Sequence, residues 1–267
     1  LTSRDSTATF PDAFALTVTN DLAISGYRGG LVMTNGRLSV GGHLSLLTPN
    51  AAGNSAFYGG PSAQYTIVSN LTLDRHTLTV SGVTGSDRMI VGGDLVLTNG
   101  ARLYACGAPT NAAVGHGVFL VGRDMRVYDG SWVYPGSDVT NGGSVKFMVQ
   151  NLSLATTNCG FDASGAGFSS SATNGFGPGA GKGASASRGG GGGYGGAGGN
   201  GPAYAPGAIG GPTYGSSNAP ADAGSAGGGE GVNPGGAGGG LIWIDVQRAA
   251  TLDGSILANA GWAGFGT

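Results

Sequence analysis

A phrase that occurs six times in the chain constrains its fold more than any other feature. The phrase is a valine, two or three small or polar residues, an apolar–x–apolar pair and a Gly or Asn turn, as in Val91-Gly-Gly-Asp-Leu-Val-Leu-Thr-Asn-Gly. Its valines are Val18, Val40, Val68, Val91, Val121 and Val149, separated by 22, 28, 23, 30 and 28 residues. A loose period in the twenties is typical of a solenoid, in which one repeat forms one turn of a coil.

The apolar positions of the phrase keep their places from repeat to repeat. The first apolar position is occupied by Leu22, Leu44, Leu71, Leu95, Met125 and Leu152, and the second by Ile24, Leu46, Leu73, Leu97, Val127 and Leu154. Residues two apart lie on one face of a strand, so stacked repeats would form a continuous apolar core. Gly, Asn and Asp between the segments permit sharp corners. The pattern therefore predicts an all-β fold, a parallel β-helix that is right-handed by the usual crossover preference.

The chain divides into four predicted parts. Residues 1–15 are a lead-in segment in which Thr7–Phe10 is a candidate first strand, and residues 16–159 carry the repeats. Residues 160–240 form a glycine-rich insert, and residues 241–267 resume a repeat that we expect to be truncated or to continue further. Within the repeats, Asn50–Ala63 is predicted as a protruding loop. Its Phe57 and Tyr58 either bind a ligand or, as we favour, fold back on the coil.

The insert holds more than half of the chain's 58 glycines. Composition alone is typical of disorder, but non-glycine residues recur every third position from Gly189 to Asn200. This is the period of a polyproline-II-type helix, which has no internal hydrogen bonds and can therefore bond laterally to its neighbours. Because repeat-like segments lie on both sides of the insert, we expect an ordered layer packed on the solenoid.

An apolar stripe is predicted on the outer face of the coil, one residue before each of the last four valines. It consists of Ile67, Ile90, Leu120 and Met148. Outward positions that face water are usually polar, so such a stripe indicates a cover. The insert is the nearest candidate for that cover, and a partner protein is the other.

Charge and hydropathy exclude some classes of protein. The net charge is −2 with 10% charged residues, which does not indicate a nucleic-acid binder. No apolar run is long enough to predict a membrane span.

The repeats and the insert, followed by Gly-Gly-Gly-Leu-Ile-Trp-Ile-Asp-Val246 and Gly-Ser-Ile-Leu-Ala-Asn-Ala-Gly261, together resemble large β-solenoid surface proteins of bacteria, of the autotransporter-like and adhesin-like kind. The resemblance implies an extracellular structural or adhesive role and assigns no functional residue.

Few residues in the sequence indicate a catalytic site, a metal site or a disulfide. A polar column of Asp21, His43, Asp94 and Asp124 is either corner structure, which we favour, or an acid/base or cation site of the kind found in β-helix enzymes. His43, His76 and His116 have no metal-binding spacing, and we expect no cofactor. Cys106 and Cys159 are candidate disulfide partners, although they lie on different repeats.

Three tyrosines lie ten residues apart in the insert, at Tyr194, Tyr204 and Tyr214. They either contact sugars or a receptor, or they fill gaps between glycine segments.

We therefore expect a building block of a fibre, sheath or adhesin, located outside the cell or on its surface. Its expected partners are copies of itself, joined through the solenoid ends or the glycine-rich layer, and surface glycans. A secreted polysaccharide-cleaving β-helix enzyme is the alternative.

Overall fold

The computed structural model describes residues 7–26, 30–33, 35–48, 56–59, 63–83, 89–107, 117–171, 173–184, 188–202, 206–216 and 218–262. In these ranges the regular structure is entirely β, with no helix. The strands are β1 Thr7–Phe10, β2 Ala15–Val18, β3 Leu22–Ser25, β4 Gly30–Met33, β5 Arg37–Val40, β6 Leu44–Leu47, β7 Ala56–Gly59, β8 Gln64–Ile67, β9 Leu71–Asp74, β10 Thr77–Val83, β11 Met89–Val91, β12 Leu95–Thr98, β13 Arg102–Gly107, β14 Gly117–Val127, β15 Trp132–Gly136, β16 Val145–Leu154, β17 Gly160–Asp162, β18 Trp243–Leu252 and β19 Ser255–Leu257. The predicted all-β class and the candidate first strand are confirmed.

Two sheets are formed by parallel pairing between successive repeats. The first sheet has eight strands in the order β1-β4-β7-β10-β13-β15-β17-β19. The second sheet runs β2-β5-β8-β11 on one side and β3-β6-β9-β12 on the other, and β14 pairs with both β11 and β12. β16 then pairs with β14 and β18 with β16. Each repeat therefore contributes one strand to the first sheet and then two strands, or one long strand, to the second.

Two of the apolar columns in the second sheet follow the predicted positions. The register pairs Leu22, Leu44, Leu71, Leu95, Met125, Leu152 and Ala250 in sequence. It likewise pairs Ile24, Leu46, Leu73, Leu97, Val127, Leu154 and Leu252. The members from Leu22 to Leu154 are buried in one core with Leu31, Leu78, Leu103, Val133 and Phe161 of the first sheet. Alternating side chains thus place one face of each strand inside, as the two-residue spacing predicts.

The valine column differs from the prediction at one repeat. The paired residues are Val18, Val40, Ile67, Val91, Val121, Val149 and Val246. Ile67 is 0% exposed, whereas Val68 is 63% exposed. The reason is spacing, because Ile67 lies four residues before Leu71, just as Val40 lies four residues before Leu44. The prediction that Ile67 faces outward is therefore wrong.

The expected loop at Asn50–Ala63 is also partly wrong. Ala56–Gly59 forms β7, which pairs in parallel with β4 and β10 in the first sheet. The rest of the expected loop lies outside the described residues, except for Ala63, which is buried in the core.

The glycine-rich insert leaves the sheets at one corner of a repeat. It connects β17 of the first sheet to β18 of the second, and Gly160–Asp162, which the sequence assigns to the insert, forms β17. In the described residues between β17 and β18 the structure gives isolated bridges rather than strands. A single repeat thus carries the whole layer between its two sheets.

Hydrogen bonds within the layer repeat every three residues. The amide of Gly190 donates to the carbonyl of Lys182 at 2.9 Å, and the amide of Gly193 donates to the carbonyl of Gly179 at 2.7 Å. Both the donors and the acceptors are three residues apart, so every third residue of one segment faces the same neighbouring segment. The layer is therefore held by bonds between segments, in keeping with the period in the sequence.

Candidate functional site

A ladder of polar side chains lies at the corner between the two halves of the second sheet. Asp21 Oδ1 accepts the amide of His43 at 2.7 Å, and His43 Nδ1 accepts the amide of Asn70 at 3.4 Å. Asn70 Oδ1 accepts the amide of Asp94 at 2.9 Å. Each side chain thus satisfies a backbone donor that the turn leaves outside the sheet. The ladder follows the predicted polar column, to which the structure adds Asn70.

The ladder continues through the later repeats. Asp94 Oδ1 accepts the amide of Asp124 at 3.3 Å, and Asn151 Nδ2 donates to Asp124 Oδ1 at 2.6 Å. Sequence reasoning missed both Asn70 and Asn151 because it counted from the valine. Counting back one residue from Leu71 and Leu152 would have found them.

Two arginines form ion pairs with the acidic side chains of this ladder. Asp94 accepts Arg123 Nε at 3.0 Å and Arg126 Nη1 at 3.0 Å, and Arg126 also pairs with Asp124. Hydrogen bonding from Arg123, with further bonds from Arg126 and the amide of Asp124, lowers the pKa of the Asp94 carboxyl, although partial burial opposes this shift. Asp94 is therefore a charged, hydrogen-bonded corner group and is not suited to donate a proton as a general acid.

The outward apolar stripe contains three of its four predicted members. Ile90, Leu120 and Met148 are paired in register and half-buried. Thr66 takes the place expected for Ile67. In the next repeat the position belongs to Asp245, whose carboxylate is 3.0 Å from Lys146 Nζ. The stripe thus ends at an ion pair.

The described contacts of the insert lie away from this stripe. Ala166 accepts the amide of Ser137, and the amide of Ser169 donates to Val139. The insert also bonds to the last repeat, where the amide of Gly165 donates to Asn259. Among the described residues, hydrogen bonds thus attach the layer beside the first sheet, and cover of the stripe by the insert stays a prediction.

The tyrosines of the insert pack against each other. The rings of Tyr194 and Tyr214 meet edge to face with centroids 4.9 Å apart, and the Tyr214 hydroxyl donates to the carbonyl of Ala223. Burial raises the pKa of Tyr214. The Tyr194 hydroxyl is buried and has no hydrogen-bond partner among the described residues. Tyr204 lies outside the described residues.

A cleft of about 490 Å³ lies between the layer and the last repeat. Tyr194 and Asp222 of the insert line one side of the cleft. Ile242, which directly precedes β18, and Ile256 of β19 line the other side. Glycine backbone forms much of the remaining wall. The cleft is thus mostly apolar with a few polar groups, which is the usual composition of a small-molecule site.

An aromatic row on the outer face of the first sheet was not predicted. Tyr104 and Tyr134 are paired in register, and their rings are stacked at 4.6 Å. Trp132 lies two residues from Tyr134 on the same strand face and is half-buried. The alternation Arg-Leu-Tyr-Ala and Trp-Val-Tyr-Pro is the signal that would have found this row.

The two cysteines are free thiols in this structure. Cys159 is buried, and its Sγ lies 3.2 Å from the carbonyl of Val127, while Cys106 is half-buried. Burial raises the pKa of the Cys106 thiol. The candidate disulfide between them is absent.

The described part of the chain contains no group of three or more His, Cys, Asp or Glu residues arranged to hold a metal ion. It also contains no helix long and apolar enough to cross a membrane. Comparison with protein-family models, with curated proteins and with solved structures found no match.

Proposed function

We propose that the chain is part of a right-handed parallel β-solenoid with a structural or adhesive role at a cell surface. The observation that carries this proposal is the set of apolar columns that run in register from β2 and β3 to β18. Such columns bury a core that no single repeat could bury alone, and stacked repeats are a common way to build a long, stiff body. The handedness follows from the general preference of parallel crossovers.

The layer in this proposal consists of glycine helices of the polyproline-II type. Three observations support it: the three-residue period in the sequence, the three-residue period in the hydrogen bonds, and glycines placed where a side chain would overlap a neighbour. A layer of this kind adds thickness to the solenoid without a second apolar core. Its expected role is to support an exposed surface rather than to catalyse a reaction.

Assembly with a second copy of the chain is the interaction we propose for the open strand edges. At one edge β18 and β19 expose Leu252 and Ile256, at 52% and 48%, although Leu252 belongs to an inner column. At the other edge Leu16 and Val18 of the same kind of column are half-buried. Parallel strands with matching apolar columns are complementary, so head-to-tail stacking would pair both edges.

Negative-stain microscopy and sedimentation of the purified chain test this proposal. We expect rods longer than one chain, whose formation is reduced by Leu252→Asp. The matched control is Thr251→Asp, because Thr251 is exposed and pairs with the outward Ser153. A parent chain that stays monomeric at high concentration, or a Leu252→Asp variant that assembles like the parent, would contradict the proposed assembly.

The enzymatic alternative is tested separately by incubation with acidic polysaccharides, with and without calcium. We expect no new reducing ends and no unsaturated products, because Arg123 and Arg126 already engage Asp94 and Asp124. Product formation that disappears in Asp124→Ala would replace the structural proposal with a catalytic one. Protease accessibility of the protein on intact cells tests the proposed location.

A further inference from the structure

We propose that the cleft between the glycine-rich layer and the last repeat binds a neutral saccharide. This inference rests on the adhesive part of the proposed function and supplies its ligand class, but it does not require assembly. The cleft has a volume of about 490 Å³. Ligand sites commonly have volumes of about 300 to 1,000 Å³, so the cleft has room for one or a few sugar rings.

The walls of the cleft suit the two kinds of surface that a sugar presents. Leu241, Ile242 and Ile256 provide apolar contact, and Tyr194 adds an aromatic ring. The C–H faces of a pyranose pack against such surfaces, and a tyrosine combines an apolar face with a polar hydroxyl. The opposite wall consists largely of glycine backbone, which leaves space for a ring and places peptide groups near it.

The carboxylate of Asp222 is available to the hydroxyls of the ligand. Asp222 is exposed, lines the cleft and offers carboxylate oxygens that accept hydrogen bonds. The Tyr194 hydroxyl is buried and lacks a partner among the described residues, so it is not open to a ligand in the cleft, and Tyr194 contributes its ring alone.

The charges around the cleft disfavour binding of an anionic ligand. Among its described lining residues, none is Lys, Arg or His, and Asp222 carries the acidic charge. A uronic acid, a sialic acid or a phosphate would therefore meet a carboxylate without a compensating cation. Neutral hydroxyls, in contrast, donate to a carboxylate without any charge repulsion.

A second aromatic side chain lies close to the cleft along the chain. Trp262 is 95% exposed and follows the lining residue Ala260 by two positions. Its ring is therefore accessible to a ligand or to solvent at this end of the molecule. Its fluorescence also offers a direct signal of ligand binding at this end of the molecule.

Titration of the purified chain with glucose, galactose, mannose, N-acetylglucosamine and their short β-linked oligomers tests the proposal. Calorimetry and tryptophan fluorescence are the two readouts. We expect saturable binding of at least one neutral sugar. Asp222→Asn should weaken it about tenfold, or about 1.4 kcal/mol, because the amide oxygen still accepts a hydrogen bond but loses the charge that strengthens it. Tyr194→Phe keeps the ring that lines the cleft and packs on Tyr214, and it should bind like the parent.

The control variant is Asp253→Asn, an exposed carboxylate of the last repeat that does not line the cleft. It should bind like the parent, and equal thermal midpoints for all variants would show that folding is intact. Absence of saturable sugar binding, or binding unchanged in Asp222→Asn, overturns the proposal. Binding of tetramethylammonium in preference to every sugar, lost in Asp222→Asn, also overturns it and assigns an organic cation instead. Rod formation without sugar binding contradicts this inference alone, whereas sugar binding by a strictly monomeric chain contradicts only the proposed assembly.

Discussion

Gly189 and Gly228 approach each other so closely that a methyl group on Gly189 would overlap the carbonyl oxygen of Gly228. The same holds three residues on, where a methyl group on Gly192 would overlap the carbonyl oxygen of Ser225. The glycines of the insert are therefore packing contacts between segments as well as points of backbone freedom.

Gly189→Ala should disrupt the glycine-rich layer, because the neighbouring backbone must move to admit the methyl group. We expect faster amide exchange across residues 189–240 and a lower thermal midpoint, measured by exchange mass spectrometry and calorimetry. Gly199→Ala is the matched control, since a Cβ at Gly199 meets no atom within 4 Å. Equal exchange in the two variants, or uniformly fast exchange in the parent, would contradict the docked layer.

Leu95→Asp should unfold the second sheet locally. Leu95 is 0% exposed and lies between Leu71 and Met125 in its column. A buried carboxylate without a partner costs several kcal/mol. Chemical denaturation followed by circular dichroism measures the loss. Val96→Asp is the control, because Val96 points outward and pairs in register with Arg126. A Leu95→Asp variant as stable as the control would show that the column is misassigned.

Asp94→Asn should destabilise the corner by about 1 kcal/mol, since it removes the charge that pairs with Arg123 and Arg126. The amide retains an acceptor for the Asp124 backbone, so the ladder itself should persist. Urea denaturation at low and high salt measures the effect, which should shrink at high salt. Asp21→Asn, whose side chain accepts the amide of His43, is the control. An equal cost for both variants would assign the effect to the turn rather than to the ion pairs.

Acid should weaken the fold through His76. Its side chain is buried, Nδ1 lies 3.2 Å from Thr48 Oγ1, and desolvation lowers the His76 pKa from 6.5 to about 4. The unfolded chain binds the proton more readily than the folded chain. The contribution of neutral His76 to the free energy of unfolding is therefore fully present above pH 6.5 and is lost as the pH falls from about 6.5 to 4. The loss is up to about 3 kcal/mol.

Denaturant unfolding between pH 7.5 and 4 measures this slope for the parent and for His76→Gln, which should remove most of it. A His76→Gln variant with an unchanged slope would assign the acid sensitivity to other groups.

The amino-acid sequence by itself determined the strand columns. Leu44, Leu71 and Leu95 pair in the predicted register because side chains alternate along a strand and only one alternation buries them. The three-residue period of the insert was visible for a similar reason, since each glycine segment repeats one local geometry. Local spacing carries this information, so it needs no knowledge of distant contacts.

Only the tertiary structure decided which side chains face the core in a repeat whose spacing differs from that of its neighbours. It also decided which residues from distant parts of the chain contact each other. Ile67 and Val68 are adjacent and chemically alike. The four-residue distance to Leu71 is compatible with Ile67 in the core, and pairing with Val40 and Val91 establishes that register. The ion pairs of Asp94 join residues of different repeats, and the cleft joins Tyr194 to Ile256 across sixty-odd residues. Such contacts depend on how repeats stack and where the insert folds back, and both are set by packing and hydrogen bonds between parts of the chain that are far apart in sequence.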